Sequence, residues 1–499
     1  MNAILDDLPS SLYSAAQVRD LDARLIASGT PGFELMQRAA RAAWRAVLRR
    51  WPRAGALTVL AGGGNNAGDG YLIAALARRA GWSAEVLSLG DPGALAGDAA
   101  RAHADAWQAG VTVQAWSTEA QARGVLVDAL LGTGFKGELR APCAAAIRWI
   151  NASGLPVLAV DIPSGLMADS GHVADVAVRA ELTLTFIGLK LGLFTGEGPE
   201  MVGDLEFDDL QADPERVSET PSVAQRLTRE TVPKLAPRPK TAHKGQFGRL
   251  LAVGGDIGLG GSILLSSESA LRTGAGMVTL ATRAEHVGAA LARLPEVMSK
   301  GLRSANQLLA LAEKADVLVV GPGLGQEAWG RSLLSAACRR PVPQVWDADA
   351  LNLLAEGGVS LPKGAVITPH PGEAGRLLGR STAEVQADRP AAARELAARY
   401  GCCVILKGAG SLIAAPGEPL RLCDHGHPAM AGAGFGDVLA GVVGSLLAQG
   451  MQAYPAACLA VWLHARAGEQ LGGRGRGMTA SDLIPAIRQL LEEVSPCQA

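Results

Sequence analysis

The densest chemical signal in the first half of the chain is Gly62-Gly63-Gly64-Asn65-Asn66-Ala67-Gly68-Asp69-Gly70. It lies between an apolar run and a helical pattern. Glycines there allow close backbone approach, and a helix start presents free N–H groups to an anion such as phosphate. The run is neither GxGxxG with an acid after the second strand nor a P-loop, since no Gly-Lys-Ser/Thr follows. Asp128 ends a later apolar run and precedes Gly132-Thr133-Gly134-Phe135-Lys136-Gly137-Glu138. Asp161 ends another and precedes Ile162-Pro163-Ser164-Gly165. Three strand ends thus deliver Asn66, Asp128 and Asp161 or Ser164 to one sheet edge. Oxygen ligands of this kind suit a hard cation rather than zinc. A carboxylate beside a phosphate pocket can equally serve as general acid or base. The plainer alternative is a glycine turn capped by Asn and Asp.

The second half carries Gly432-Ala433-Gly434-Phe435-Gly436-Asp437 at the start of an apolar helix. Backbone N–H groups there form an anion hole, with an aspartate beside the bound phosphate. Lys407-Gly408-Ala409-Gly410-Ser411 follows the apolar CVIL run and offers an ammonium, a flexible backbone and a hydroxyl, all suited to a nucleotide. His370 stands between Pro369 and Pro371 at a strand end, so its loop is fixed and a functional role is favoured over an incidental one. Gly321-Pro322-Gly323-Leu324-Gly325 is another close-approach loop. Asp347 and Asp349 suit a cation or helix capping equally.

The elements that must position these residues read as two successive α/β arrangements. Ser14 with Gln17 forms a capping-box pattern for a helix bearing Val18, Leu21, Leu25 and Ile26, and a second helix runs from about Phe33 to Arg49. ALTVLA (56–61), AEVLSL (84–89), VLVDAL (125–130) and VLAVD (157–161) read as buried strands between helical patterns, hence βαβ units and a parallel sheet. The alternation pauses around 208–236, where charge and prolines mark a domain boundary. It restarts with GRLLAVGG (248–255), MVTLAT (277–282), ADVLVVGPG (315–323), VITPHPG (366–372) and CVILKG (403–408). Helices are expected over Asp437 to Leu447, Ala456 to Leu471 and Ser481 to Leu491. In open parallel sheets, ligands bind beyond the carboxyl ends of strands, which is where every cluster above falls.

Composition limits the partners. The 499 residues are 48% hydrophobic and 19% charged, enough for a substantial core. A net charge of -2 recruits neither nucleic acid nor an anionic membrane, and 4% aromatics cannot build a long base-stacking platform. The longest apolar stretch, Val438 to Ala448, is too short to span a bilayer. The seven cysteines match no zinc spacing and read as reduced thiols of a cytoplasmic protein. With Asp6 and Asp7 near its start and no basic segment before an apolar one, no signal peptide is expected.

In this order and spacing, GGGNNAGDG, VDALLGTGFKG and VDIPSG resemble the NAD(P)HX epimerase family, the YjeF N-terminal domain, over about residues 10–215. The resemblance implies that Asn65, Asn66, Ala67, Gly68, Asp69 and Gly132 to Glu138 hold the dinucleotide. It further implies that Asn66, Asp128 and Ser164 ligate a potassium ion, and that Asp161 contacts the hydrated nicotinamide as the acid–base residue. His243-Lys244-Gly245, GGDIGLGGS, GPGLG, TPHPGE, LKGAGS and GFGDVLAG resemble the ribokinase-like ADP/ATP-dependent NAD(P)HX dehydratases over about residues 237–492. By that resemblance Ser262, Gly323 and His370 contact the hydrated substrate. Lys407, Gly408, Ala409, Gly410, Ser411 and Gly436 hold ADP or ATP, with magnesium, and Asp437 carries catalysis. His427 and Ala429 depart from the family's pattern before the anion hole, and Ser262 stands where Ala is usual.

The implied architecture is a Rossmann-like three-layer domain over 1–215, a linker over 216–236 and a ribokinase-like α/β domain over 237–499. The implied substrates are NADHX and NADPHX, and the implied assembly is a homo-oligomer. The rival readings are a ribokinase-like small-molecule kinase fused to a YjeF-type binding module, and an RNA-associated scaffold in the first half. The absence of a basic stripe speaks against the scaffold.

Overall fold

The computed structural model describes residues 7–498, so Asp6, part of the reading that no signal peptide is present, lies outside them. The chain divides between Gln225 and Arg226 into two compact units. That division falls inside the 216–236 segment, which is not an open tether: Ala224 and Gln225 pair antiparallel with Leu12 and Ser11.

The first unit holds a seven-stranded sheet. Its spatial order is Thr112–Ala115, Ser83–Ser88, Ala56–Ala61, Val125–Ala129, Val157–Val160, Leu182–Phe186 and Asp204–Asp208, with every pair parallel. The chain winds one way from Ala56–Ala61 and then the other way from Val125–Ala129. The switch point lies between these two strands, and a ligand crevice opens beyond their carboxyl ends. Both strands are buried along almost their whole length, as parallel strands covered on two faces must be. Short strand Ser11–Tyr13 pairs in parallel with Leu189–Lys190 and is followed at once by helix Ala15–Ala27. Ser14 caps that helix through the expected box with Gln17.

The second unit repeats the winding in a larger sheet. The order is Met298–Gly301, Met277–Thr282, Arg249–Val253, Val317–Val320, Gln344–Trp346, Val366–Ile367, Cys403–Leu406, Ser411–Ala414 and Arg421–Cys423. All pairs are parallel up to Cys403–Leu406; the last two strands are antiparallel. Helix Phe435–Ala448 is almost entirely buried, and the cluster around it includes Val438, Val442, Val443 and Leu446. An all-round apolar helix of this kind belongs in a core. No helix among the described residues is long and apolar enough to cross a membrane.

The sequence reading missed several strands, notably Leu182–Phe186, Gln344–Trp346 and the antiparallel pair Ser411–Ala414 and Arg421–Cys423. It also lengthened others: VITPHPG yields only Val366–Ile367 as strand, because Pro369 and Pro371 cannot donate to a ladder.

Candidate functional site

In the first unit a cavity of about 770 Å³ opens at the switch point. Helix Asn65–Arg79 starts at its edge with Gly64 as N-cap, so Gly63, Gly64, Asn65, Asn66 and Asp69 line it. Ala67 and Gly68 do not. Ala67 is fully buried, and a Cβ on Gly68 would lie 2.6 Å from Met36 Sδ. Helical phase turns the side-chain positions of these two residues toward the neighbouring helix, where they pack. Opposite, Gly132, Thr133, Gly134, Phe135, Lys136 and Glu138 line the cavity, whereas Gly137, at φ 80°, makes the turn between them.

Asn66, Asp128 and Ser164 converge behind the loop at Leu130–Leu131. Asn66 Nδ2 donates to the Leu131 carbonyl (3.0 Å), and the Leu131 amide donates to Ser164 Oγ (2.9 Å). Asp128 accepts Ser164 Oγ (2.6 Å) and the Ser164 amide (2.7 Å). Burial pushes Asp128 up to about 6, against these hydrogen bonds. Asn66 Oδ1 is buried without a hydrogen-bond partner, an oxygen that a cation would satisfy.

Asp161 lines the cavity at the end of strand Val157–Val160 with φ 70°, a left-handed conformation that costs a non-glycine residue about 1–3 kcal/mol. Its Oδ1 accepts Lys190 Nζ, Thr185 Oγ1 (3.3 Å) and the Phe186 amide (3.3 Å). Lys190 has no solvent exposure; its other two protons go to Thr185 Oγ1 (2.9 Å) and the Phe186 carbonyl (3.1 Å). Nothing in the sequence reading pointed to Lys190. The only available signal was a lysine inside the apolar run Ile187–Leu193, where an unpaired ammonium would be very costly.

In the second unit Gly434, at φ 92°, is the N-cap of helix Phe435–Ala448, a backbone angle that demands glycine. Asp437 lies in the first turn. Burial and the nearby Asp347 carboxylate push it up to about 6, opposed by a hydrogen bond from Ser262 and by Lys407. Lys407 is not a free ammonium: it donates to Asp347 Oδ1 (2.8 Å) and lies 3.9 Å from Glu373. Asp347, buried, also accepts Thr368 Oγ1 (2.7 Å). The lysine therefore fixes a carboxylate beside Gly436 instead of pointing at solvent. A Cβ on Gly436 would stand 3.1 Å from Lys407 Nζ.

His370 is exposed and caps helix Pro371–Leu378, its Nδ1 accepting the amides of Gly372 (3.0 Å) and Glu373 (3.4 Å). Partial burial of the ring and the Lys407 charge lower its pKa, consistent with a ring nitrogen that accepts. Gly323 is buried and braces two loops, its carbonyl accepting the Asp256 amide (2.6 Å). Gly408 and Ala409 are exposed, Gly410 is buried, and Ser411 Oγ donates to the Gly408 carbonyl (3.0 Å). Arg389, buried and missed by the sequence reading, donates to the Lys407 and Gly410 carbonyls and so holds this loop. His427 caps the short turn Pro428–Met430 by accepting the Ala429 amide (3.1 Å). Asp349 accepts Gly325 N and Gln326 Nε2, both at 2.9 Å, which is a capping and bracing role. Among the described residues there is no cluster of three or more His, Cys, Asp or Glu able to hold a metal.

Residues 32–192 match the family described as "YjeF-related protein N-terminus", and residues 250–489 match "NAD(P)H-hydrate dehydratase". Among solved structures, a ribokinase-like superfamily protein from Enterococcus faecalis is 29% identical with a TM-score of 0.52, covering 55% of this chain and 97% of that one. The chain is 41% identical over 469 residues to the bifunctional NAD(P)H-hydrate repair enzyme Nnr of Escherichia coli, covering 92% of this chain and 89% of the relative. It is 41% identical over 484 residues to that of Coxiella burnetii, covering 96% and 99%. Identity sustained over nearly the whole of both chains is more than shared folds require, and this chain belongs to the family of bifunctional NAD(P)H-hydrate repair enzymes.

Proposed function

We propose that the first unit interconverts the R and S epimers of hydrated NADH and NADPH, and that the second dehydrates the S form at the expense of ADP or ATP. The observation that carries this is the placing of one aspartate at each switch-point architecture: Asp161 in a dinucleotide-sized cavity, Asp437 in the first turn of an amide-rich helix start. Hydroxide is a poor leaving group near neutral pH. Asp437, as base, takes the proton of the substrate hydroxyl while that oxygen accepts a phosphoryl group. Loss of phosphate and of a proton from the neighbouring carbon then restores the dihydronicotinamide. Helix amides at Phe435 and Gly436 face the developing phosphoryl charge.

A potassium ion fits Asn66, Asp128 and Ser164: the donors are all oxygens, and Asn66 Oδ1 is otherwise orphaned. Bound there, it would supply fixed positive charge beside the dinucleotide phosphates. Magnesium finds no such cage. Asp347 is engaged by Lys407 and Thr368, and Asp349 by backbone and side-chain amides. Magnesium belongs with the nucleotide phosphates, and no step is assigned to it. The free cysteines, mostly buried, suit a reducing cytoplasm. A homo-oligomer is part of the same reading and is tested by light scattering.

The decisive experiment offers each purified epimer of hydrated NADH to the whole protein, with and without ADP or ATP. Dihydronicotinamide absorbance should return from S in fixed stoichiometry with nucleotide, and from R only after epimerisation. Turnover without nucleotide, or a stable phosphorylated product, would overturn the reading.

A further inference from the structure

The cavity of the first unit holds more carboxylates than its one assigned aspartate. Asp22, on the helix Ala15–Ala27, and Asp69, on the helix Asn65–Arg79, line the same cavity as Asp161. The three feel one another's charge: Asp161 acts on both Asp22 and Asp69, and Asp22 also acts on Asp69. Lys190 is the single buried ammonium among them, and all three of its protons are committed to Asp161, Thr185 and Phe186. Asp22 and Asp69 make no side-chain hydrogen bond or ion pair among the described residues. By contrast, Asp20, two residues from Asp22, pairs with Arg24 on the outer face of the helix (2.7 Å).

Asp22 is also held firmly in place. The strand Ser11–Tyr13 pairs in register with Lys190, and the helix carrying Asp22 begins at Ala15, whose amide donates to Asp169 Oδ1 (2.6 Å). Leu21 and Leu25 on either side of Asp22 are buried. One short strand therefore sets both the lysine behind Asp161 and the carboxyl that faces it. Burial and the Asp161 charge push Asp22 up to about 6, with Lys190 opposing, which brings its proton within reach of transfer near neutral pH.

Resting on the epimerase reading above, we infer that Asp22 is a second catalytic carboxyl of the first unit, donating its proton to the departing hydroxyl of the hydrated nicotinamide. The carbon–oxygen bond breaks and its electron pair leaves with the oxygen as water. The ring nitrogen lone pair forms the carbon–nitrogen double bond of an iminium cation. Asp22, now a carboxylate, faces that cation and balances it. Water then adds to the other face of the same carbon, giving its proton to Asp161, and exchange with solvent returns protons to their starting places. No electrons are gained or lost overall. A cavity whose wall gains a carboxylate as the ring gains a cation favours this route over opening the ring to a neutral aldehyde.

The test follows interconversion of separated epimers by chromatography, without nucleotide, using the whole chain. Asp22→Asn should lower kcat about 100-fold or more with KM little changed, and Asp22→Glu should recover most of it. In the native protein the rate should fall as pH rises above the Asp22 range, and that limb should be missing in Asp22→Asn. The groups facing Asp22 that must be held in view are Asp69, Asp161, Lys190 and Arg19 of its own helix. In heavy-oxygen water the native protein should label the ring hydroxyl faster than the uncatalysed reaction does. Asp22→Asn interconverting at the native rate, or native turnover without label, overturns the inference while leaving the epimerase reading standing. A native chain unable to interconvert the epimers sinks that reading itself. Should Asp22→Asn not fold, an Asp22→Glu variant whose pH limb stays where the native one lies overturns the inference equally.

Discussion

Both units pair a lysine with an aspartate that directly follows a parallel strand, but they connect them differently. In the first, Lys190 bonds directly to Asp161, the aspartate that faces the cavity. In the second, Lys407 bonds to Asp347 and leaves Asp437 to Ser262 and the helix start. A fully buried lysine committed to its aspartate makes a fixed, charged partner. A lysine bonded instead to a neighbouring carboxylate leaves Asp437 raised to about 6, near the range where a carboxyl can exchange a proton. The same two residue types thus hold the cavity-lining aspartate directly in one unit and a neighbouring carboxylate in the other.

The largest effects should come from removing the two aspartates. Asp161→Ala should reduce epimer interconversion to the spontaneous rate, a loss of about three orders of magnitude or more, and leave nucleotide-dependent dehydration of the S form intact. Asp437→Ala should do the reverse. Absorbance traces from each pure epimer read both, and loss of both activities in either variant would break the division of labour.

Removing the lysines comes next. Lys190→Met leaves Asp161 unpaired beside a buried wall and should cost the first unit about 3–5 kcal/mol in denaturant unfolding. Lys407 keeps some exposure, so Lys407→Met should cost the second unit clearly less. Equal costs would erase the contrast drawn above.

A smaller effect tests the raised Asp437. Its folded-state pKa of about 6 exceeds the ordinary 3.8, so the unfolded chain ionises first and stability falls as pH rises from about 4 through 6. Asp437→Asn should therefore raise the unfolding free energy at pH 7.5 by about 2–3 kcal/mol and change it little at pH 4. A gain of equal size at both values would show that the carboxylate is not strained by burial.

Gly68→Ala should show the smallest shift. The new methyl meets Met36 and costs about 1–2 kcal/mol in stability. KM for the epimerase substrate should stay the same. A large rise in KM would return Gly68 to the binding surface.

Much of this architecture was legible along the chain. Buried parallel strands are near-continuous apolar runs, so ALTVLA, MVTLAT and CVIL stood out, and the chemical clusters directly after them fell at strand ends. The strand Leu182–Phe186 was not legible, because Thr183 and Thr185 interrupt its apolar pattern although both are fully buried. Their hydroxyls find partners only once folded: Thr183 donates to the Val202 carbonyl (2.8 Å), and Thr185 donates to Asp161. Ala67 and Gly68 show the converse: they stand inside a chemical motif, yet helical phase turns their side-chain positions into the packing.

The chain alone determined that two parallel-sheet α/β units form, with Asp161 at a strand end and Asp437 at a helix start, because strand periodicity, glycine loops and helix starts are local properties. Tertiary structure alone decided which charges meet. Lys190 and Asp161 lie 29 residues apart and Lys407 and Asp347 lie 60 apart, and no local pattern encodes those distances. Burial then set which carboxyls are pushed above their ordinary range, since desolvation depends on what packs around a group and not on its neighbours in sequence.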